Sequence, residues 1–140
     1  MYTYKYPRPA LTTDAIVFVK ENDGISVLLI ERGIDPCKNS WALPGGFVNM
    51  DELIETASIR ELQEETGLVV DKMTQFKAYD AINRDPRHRT ISVVYFVEID
   101  KKQNVSGGDD AKNAAWFPID NLPELAFDHR QIIDEFFGKG

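Results

Sequence analysis

Cysteine occurs once in this chain, as Cys37, so an internal disulfide is excluded. A reducing cytoplasm is the setting this predicts. Long apolar runs are also missing: the longest, such as Val27 to Ile30 and Val93 to Val97, suit a strand and fall far short of a membrane span. Met1 to Pro9 holds no apolar secretory core. Basic residues are in deficit, with 16 Lys and Arg against 23 Asp and Glu and a net charge of −7. That balance argues against bulk nucleic-acid binding, which needs lysine and arginine to neutralise phosphates. Any phosphate-bearing ligand must therefore find positive charge locally. Repeats, low-complexity tracts and domain linkers are absent as well. What is present, 43% hydrophobic content over 140 residues, suffices for one compact domain spanning 1–140 with a real core.

The most informative stretch runs from Gly46 to Leu68, G-F-V-N-M-D-E-L-I-E-T-A-S-I-R-E-L-Q-E-E-T-G-L. On a helix, each residue advances about 100° round the axis. With Glu61 at zero, Glu65 lies at about +40° and Glu64 at about −60°, so three carboxylates crowd one arc. Such crowding opposes joint ionisation unless a cation compensates it. Ile54 and Ala57 share this arc, so the acids extend the face a helix would otherwise bury. The bland alternative is a solvated acidic face. All-oxygen donors favour a hard divalent cation, Mg²⁺ best, with Mn²⁺ able to substitute. Arg60, four residues before Glu64, is placed to hold a carboxylate by a forked hydrogen bond or to form a surface pair. Gly67 suits a left-handed C-cap, Asp51 an N-cap, and Gly45-Gly46 a tight turn beside the helix.

Nine positions of this stretch, Gly46, Glu52, Arg60, Glu61, Leu62, Glu64, Glu65, Gly67 and Leu68, match the Nudix box, and the chain resembles Nudix hydrolases, which cleave nucleoside diphosphates linked to another moiety. The resemblance implies Glu61 and Glu65 as direct metal ligands and Glu64 as a further ligand or the holder of a metal-bound water. It implies that Glu52 binds metal or orients the other acids. It also implies an acid from outside the box, before a tryptophan-containing strand. Asp110, six positions before Trp116, best fits that place as ligand or general base, although Gly107-Gly108-Asp109-Asp110 also makes an ordinary turn.

Outside the box, the order of elements is read from pattern. Asp14 to Lys20 and Ile25 to Arg32 form a hairpin through Asp23-Gly24, while Trp41 to Leu43 and Phe47 to Asn49 are short extended pieces. A helix from about Leu53 to Thr66 follows, then an extended stretch from Leu68 to Asp80 and strands at Thr90 to Ile99 and Ala114 to Pro118. Asp128 caps a closing helix from about His129 to Phe137. This predicts an α+β fold, and the resemblance implies an α/β/α sandwich with a central mixed sheet.

Substrate choice lies outside the box. Trp41 to Val48, Arg84-Asp85-Pro86-Arg87, Gly108 to Ala111 and Leu125 to His129 resemble the ADP-ribose pyrophosphatase branch and the ligand-sensing domains of nicotinamide-pathway regulators. This implies hydrolysis of ADP-ribose to AMP and ribose 5-phosphate, with other nucleotide sugars, dinucleotides or nucleoside triphosphates as alternatives. Arg84, Arg87 and Arg89, with Arg32 at a strand end, are candidate phosphate binders. Gly46 belongs to the same substrate-binding set. Phe47, Tyr79 or Phe127 could stack a base or belong to the core. His129 reads as part of a helix start rather than a base. A non-catalytic sensor joined to a winged helix is the competing class; the intact acid cluster and the chain's stop at Gly140 count against it. The family suggests a homodimer.

Overall fold

The computed structural model describes residues 3–138. The N-terminal stretch read as lacking a secretory core begins outside them, as does the end of the expected 1–140 domain. Runs rich in β-branched and other apolar residues build the first hairpin, β1 (Ala10–Glu21) and β2 (Gly24–Arg32). Glu21 faces Gly24 across a two-residue turn, and Gly24 takes a φ of +135° that side-chain-bearing residues avoid. β1 begins four residues earlier than its sequence suggests, because Ala10 to Phe18 pair in parallel with Thr90 to Glu98 of β6 (Thr90–Glu98).

Registers on the two edges of this hairpin reveal its shape. β1 is covered on one edge by β6 as far as Phe18, and on the other first by β4 (Gly45–Phe47) and then by β2. β2 is covered on one edge by β7 (Ala111–Pro118), and on the other by β1 and then β3 (Trp41–Ala42). The hairpin therefore opens as a fork, with β3 and β4 set between its prongs. β5 (Thr74–Tyr79) adds to β6, giving a mixed seven-stranded sheet.

The side-chain period of two divides the core between the sheet's faces. Ala15, Val17 and Leu28 meet Leu62 of α1 (Ile54–Thr66) on one face. Ile16, Phe18, Val27 and Leu29 meet Ile132 and Ile133 of α2 (His129–Phe136) on the other. This is the expected sandwich. Burying each of these large aliphatic side chains contributes about 1.5–3 kcal/mol. Among the described residues, no helix is long and apolar enough to cross a membrane.

Several local expectations need correction. Asp51 is not the N-cap of α1: Leu53 occupies that position without a side-chain hydrogen bond, and Asp51 lies two residues too early. Asp128 does stand at the start of α2, but its carboxylate is committed to Arg84 rather than to the helix. β5 is shorter than the extended stretch expected from Leu68, and β7 starts at Ala111, extended by pairing with Arg32 past a bulge at Glu31/Arg32. Gly67 is the left-handed C-cap, at φ 79°, with its N–H donating to Gln63 O. Gly45 and Gly46 do not make a tight turn. They lie in β4 opposite Asp14 and Thr13, where close approach is what demands glycine.

Candidate active site

The fork brings β4 directly over the buried face of α1. A Cβ on Gly46 would stand 2.6 Å from the Glu61 carboxyl carbon, so only glycine leaves that carboxylate its place. One residue earlier, the Gly45 N–H donates to Glu65 Oε1 at 2.8 Å. Both acids are nearly buried, at 9% and 6% exposure. Burial is the main force raising the Glu61 pKa, opposed by hydrogen bonding from Arg60. Glu65 is pushed up to about 8, chiefly by burial, with the nearby charges of Glu61, Asp14 and Asp109 adding to it.

Arg60 organises the remaining acids. Its Nη2 and Nε grip Glu52 at 2.7 and 3.0 Å, its Nη1 reaches Glu61 at 3.0 Å and Glu64 at 3.1 Å, and Nη2 also donates to Phe47 O at 3.1 Å. Glu52 accepts the Asn49 N–H as well. Its carboxyl is held below the usual range, first by Arg60 and then by that amide. These contacts give Glu52 and Arg60 an orienting arrangement, more extensive than the single fork expected of Arg60.

The acid from outside the box that meets the glutamates is Asp109. Carboxylate oxygens of Glu61, Glu64 and Asp109 lie within 4.8 Å of one another. Asp110 lines the same cleft, but is not in this trio. The cause is local: Gly108 packs so closely on α1 that a Cβ would come within 2.5 Å of Glu64 O, and Asp109 follows at a left-handed φ of 52°. Asp110 then turns its backbone oxygen to the Gly33 N–H. Glu65 also stays out of the trio, deeper beneath Gly45.

A cleft of about 270 Å³ is lined by Glu61, Glu65, Asp109 and Asp110. Arg32 and Arg87 line it too, with guanidinium carbons 5.1 and 5.9 Å from the Phe127 ring centre; Arg87 is also 5.8 Å from Phe47. Phe47 is 45% exposed, not core. Phe127 holds a φ of 54°, an outlier for a bulky residue. Tyr79, by contrast, is buried, with its hydroxyl donating to Glu135 at 2.6 Å.

The basic run does not form a single cradle. Arg84 is buried and forks Asp128 at 2.7 and 2.9 Å, while Arg87 forks Asp85 at 2.7 and 3.1 Å. Arg89 faces a neighbouring cleft with Tyr6 and Met50, and donates to Asp80 O at 2.6 Å. It is therefore separated from Arg84 and Arg87, which line the cleft shared with the acids.

Two buried groups near the site were not anticipated in these roles. Asp14 on β1 is 8% exposed and accepts the Ser92 hydroxyl at 2.6 Å; its signal is an acid inside the apolar run T-T-D-A-I-V-F-V. His129, at the start of α2 as expected, uses Nδ1 to accept the Leu43 N–H at 3.0 Å.

The chain is similar to known proteins along nearly its whole length. The NUDIX domain profile matches residues 9–136. An ADP-ribose pyrophosphatase of Methanocaldococcus jannaschii is 42% identical over 131 residues, 94% of this chain and 75% of its own length. An ADPR-responsive transcriptional repressor NtrR of Acinetobacter baylyi is 31% identical across 96% of this chain, which spans only 55% of that repressor. The NUDIX domain of Shewanella oneidensis NrtR, solved with ADP ribose, superposes with a TM-score of 0.89 at 29% identity, covering 99% of this chain and 93% of the other. With the box acids gathered under Gly45 and Gly46, these likenesses show that the chain belongs to the Nudix family and is a Nudix pyrophosphohydrolase.

Proposed function

We propose that this chain hydrolyses ADP-ribose to AMP and ribose 5-phosphate in a Mg²⁺-dependent reaction, with Mn²⁺ able to substitute. The observation that carries this reading is the convergence of Glu61, Glu64 and Asp109, two of which, Glu61 and Asp109, line a cleft shared with Arg32, Arg87, Phe47 and Phe127. The donor set fits a hard divalent cation: it is all oxygen, and burial with neighbouring like charges raises the pKa of Glu61 and of Glu65, an effect that a bound cation would oppose. Glu61, Glu64 and Asp109 would hold the ion, with Glu65 beside them. When bound, it supplies charge neutralisation of the diphosphate and polarisation toward attack by water.

The protein's own groups do the positioning. Arg60 fixes Glu61 and Glu64, while Glu52 fixes Arg60. Glu64, the most exposed of these glutamates, orients the attacking water. Arg32 and Arg87 face the substrate's phosphates, with Gly46 giving close backbone approach, and Phe47 and Phe127 offer ring faces to the base. Asp109 takes the place outside the box assigned from sequence to Asp110. A reducing cytoplasm and a homodimer complete the reading, the latter to be read from light scattering.

A substrate panel of ADP-ribose, other nucleotide sugars, dinucleotides and nucleoside triphosphates tests the proposal, run with Mg²⁺, Mn²⁺ or chelator and with products separated chromatographically. AMP release from ADP-ribose above all other turnover, abolished by chelator, is the expected result. Preference for a nucleoside triphosphate overturns the substrate and leaves the family standing. The similarity to an ADPR-responsive repressor supports a second reading as a sensor, which predicts ADP-ribose binding without turnover.

A further inference from the structure

His129 lies outside the Nudix box, yet it is buried at 4% exposure and tied to the segment that delivers β4. The tie begins with the strand-like stretch before α2. Trp41 N–H donates to Glu124 O, and Ala126 N–H donates back to Trp41 O at 2.8 Å. Asp128 is clamped by Arg84. The imidazole that follows therefore projects from a fixed backbone rather than a free helix end.

From there, Nδ1 accepts the Leu43 N–H. Two residues on, the Gly45 N–H donates to Glu65, and Pro44 O between them accepts the Ala15 N–H at 2.8 Å. Leu43, Pro44 and Gly45 are thus pinned in succession by α2, β1 and α1. Proline at the centre has no N–H and a restricted φ, so the three-residue path has little freedom to compensate if one pin is lost. Acceptance at Nδ1 requires that nitrogen to be unprotonated, which leaves Nε2–H facing the Asp14 carboxylate at 3.7 Å. Asp14 is itself held by Ser92. Burial lowers the pKa of His129, consistent with the neutral ring.

We propose that His129 is a positioning residue of the hydrolase, fixing the Leu43–Gly45 path so that the Gly45 amide meets Glu65 and Gly46 leaves Glu61 its place. The kinetic side of this inference rests on the hydrolytic function proposed above; the structural side does not. Deleting the acceptor leaves the Leu43 N–H buried without a partner, which frees β4 to shift over the acids.

The test compares H129L, which removes the acceptor, with H129N, whose side-chain oxygen occupies nearly the position of Nδ1. Amide hydrogen exchange is followed by NMR, and kcat and KM are measured separately. H129L should speed exchange of the Leu43 and Gly45 amides by about tenfold or more, with amides near Phe18 in the hairpin unchanged. Its kcat should fall by about tenfold with KM nearly constant, and H129N should recover most of both losses. Unchanged Gly45 exchange in H129L overturns the proposal, as does uniform acceleration of all amides or a failure of H129N to rescue exchange. If the wild-type protein turns over no ADP-ribose, the proposed function fails while the exchange comparison still decides the role of His129.

Discussion

Gly46 and Glu61 compete for one space: a methyl group on Gly46 would stand 2.6 Å from Glu61 Oε1 and 2.7 Å from Oε2. The carboxylate is the free end of a side chain and can move aside, so G46A should fold while weakening Mn²⁺ affinity by about tenfold or more. At Gly45 the same methyl meets Thr13 O and the Asp14 Cα, which are backbone and cannot yield. G45A should therefore lose about 2–3 kcal/mol of stability. Urea unfolding and Mn²⁺ titration of both variants separate the two effects, and equal stability losses would refute the distinction.

Asp109 and Asp110 are neighbours in sequence and unequal in placement. D109N should weaken Mn²⁺ binding by about tenfold or more, the range seen when a metal's support is removed. D110N should retain close to wild-type affinity. Calorimetric titration of the two proteins checks this, and the reverse order would return the outside acid to Asp110.

Glu65 links stability to pH. Its carboxyl rises from 4.5 to about 8 in the fold, so between these values the native protein holds a proton that the unfolded chain has released. Stability from this group is complete below about pH 4.5 and is lost as pH rises through about 8. In chelator, Tm should fall across this window relative to E65Q, which lacks the titration. Saturating Mg²⁺ should flatten the difference, because a nearby cation favours the charged carboxylate. Parallel profiles for the two proteins in chelator would count against a raised Glu65.

Arg84 and Asp128 form the most enclosed ion pair of the loop wall, with side chains 4% and 15% exposed. D128A strands a buried guanidinium and should cost about 3 kcal/mol, whereas removing both charges together with R84M should restore much of that loss. Thermal and urea unfolding of the single and double variants measure it. An undisturbed D128A would mean that Arg84 reaches solvent or another anion.

The box was legible because helical phase alone sets Glu61, Glu64 and Glu65 on one arc, and the hairpin because Asp23-Gly24 permits its turn. Gly45 and Gly46 read as turn residues because glycine at a close approach looks the same in sequence as glycine in a bend. Asp109 cannot be separated from Asp110 without the left-handed backbone that Asp109 adopts after the close packing of Gly108 on α1. The pairing of Arg84 with Asp128 joins residues 44 positions apart, beyond any local pattern. In sequence Asp14 is one polar residue in an apolar strand, and its burial against Ser92 is a tertiary fact.

The parallel register between β1 and β6 joins residues 10–18 to residues 90–98 across a long intervening chain. The hairpin can zip locally, but this closure must await synthesis of the later segment, and non-local pairing is intrinsically slow. Synthesis thus adds every glutamate of the box to the chain before it reaches β6, the strand that pairs with β1 on the edge away from β4. The nascent chain carries the ligands without the geometry, and hydrolytic competence arrives late, with the tertiary fold rather than with the motif.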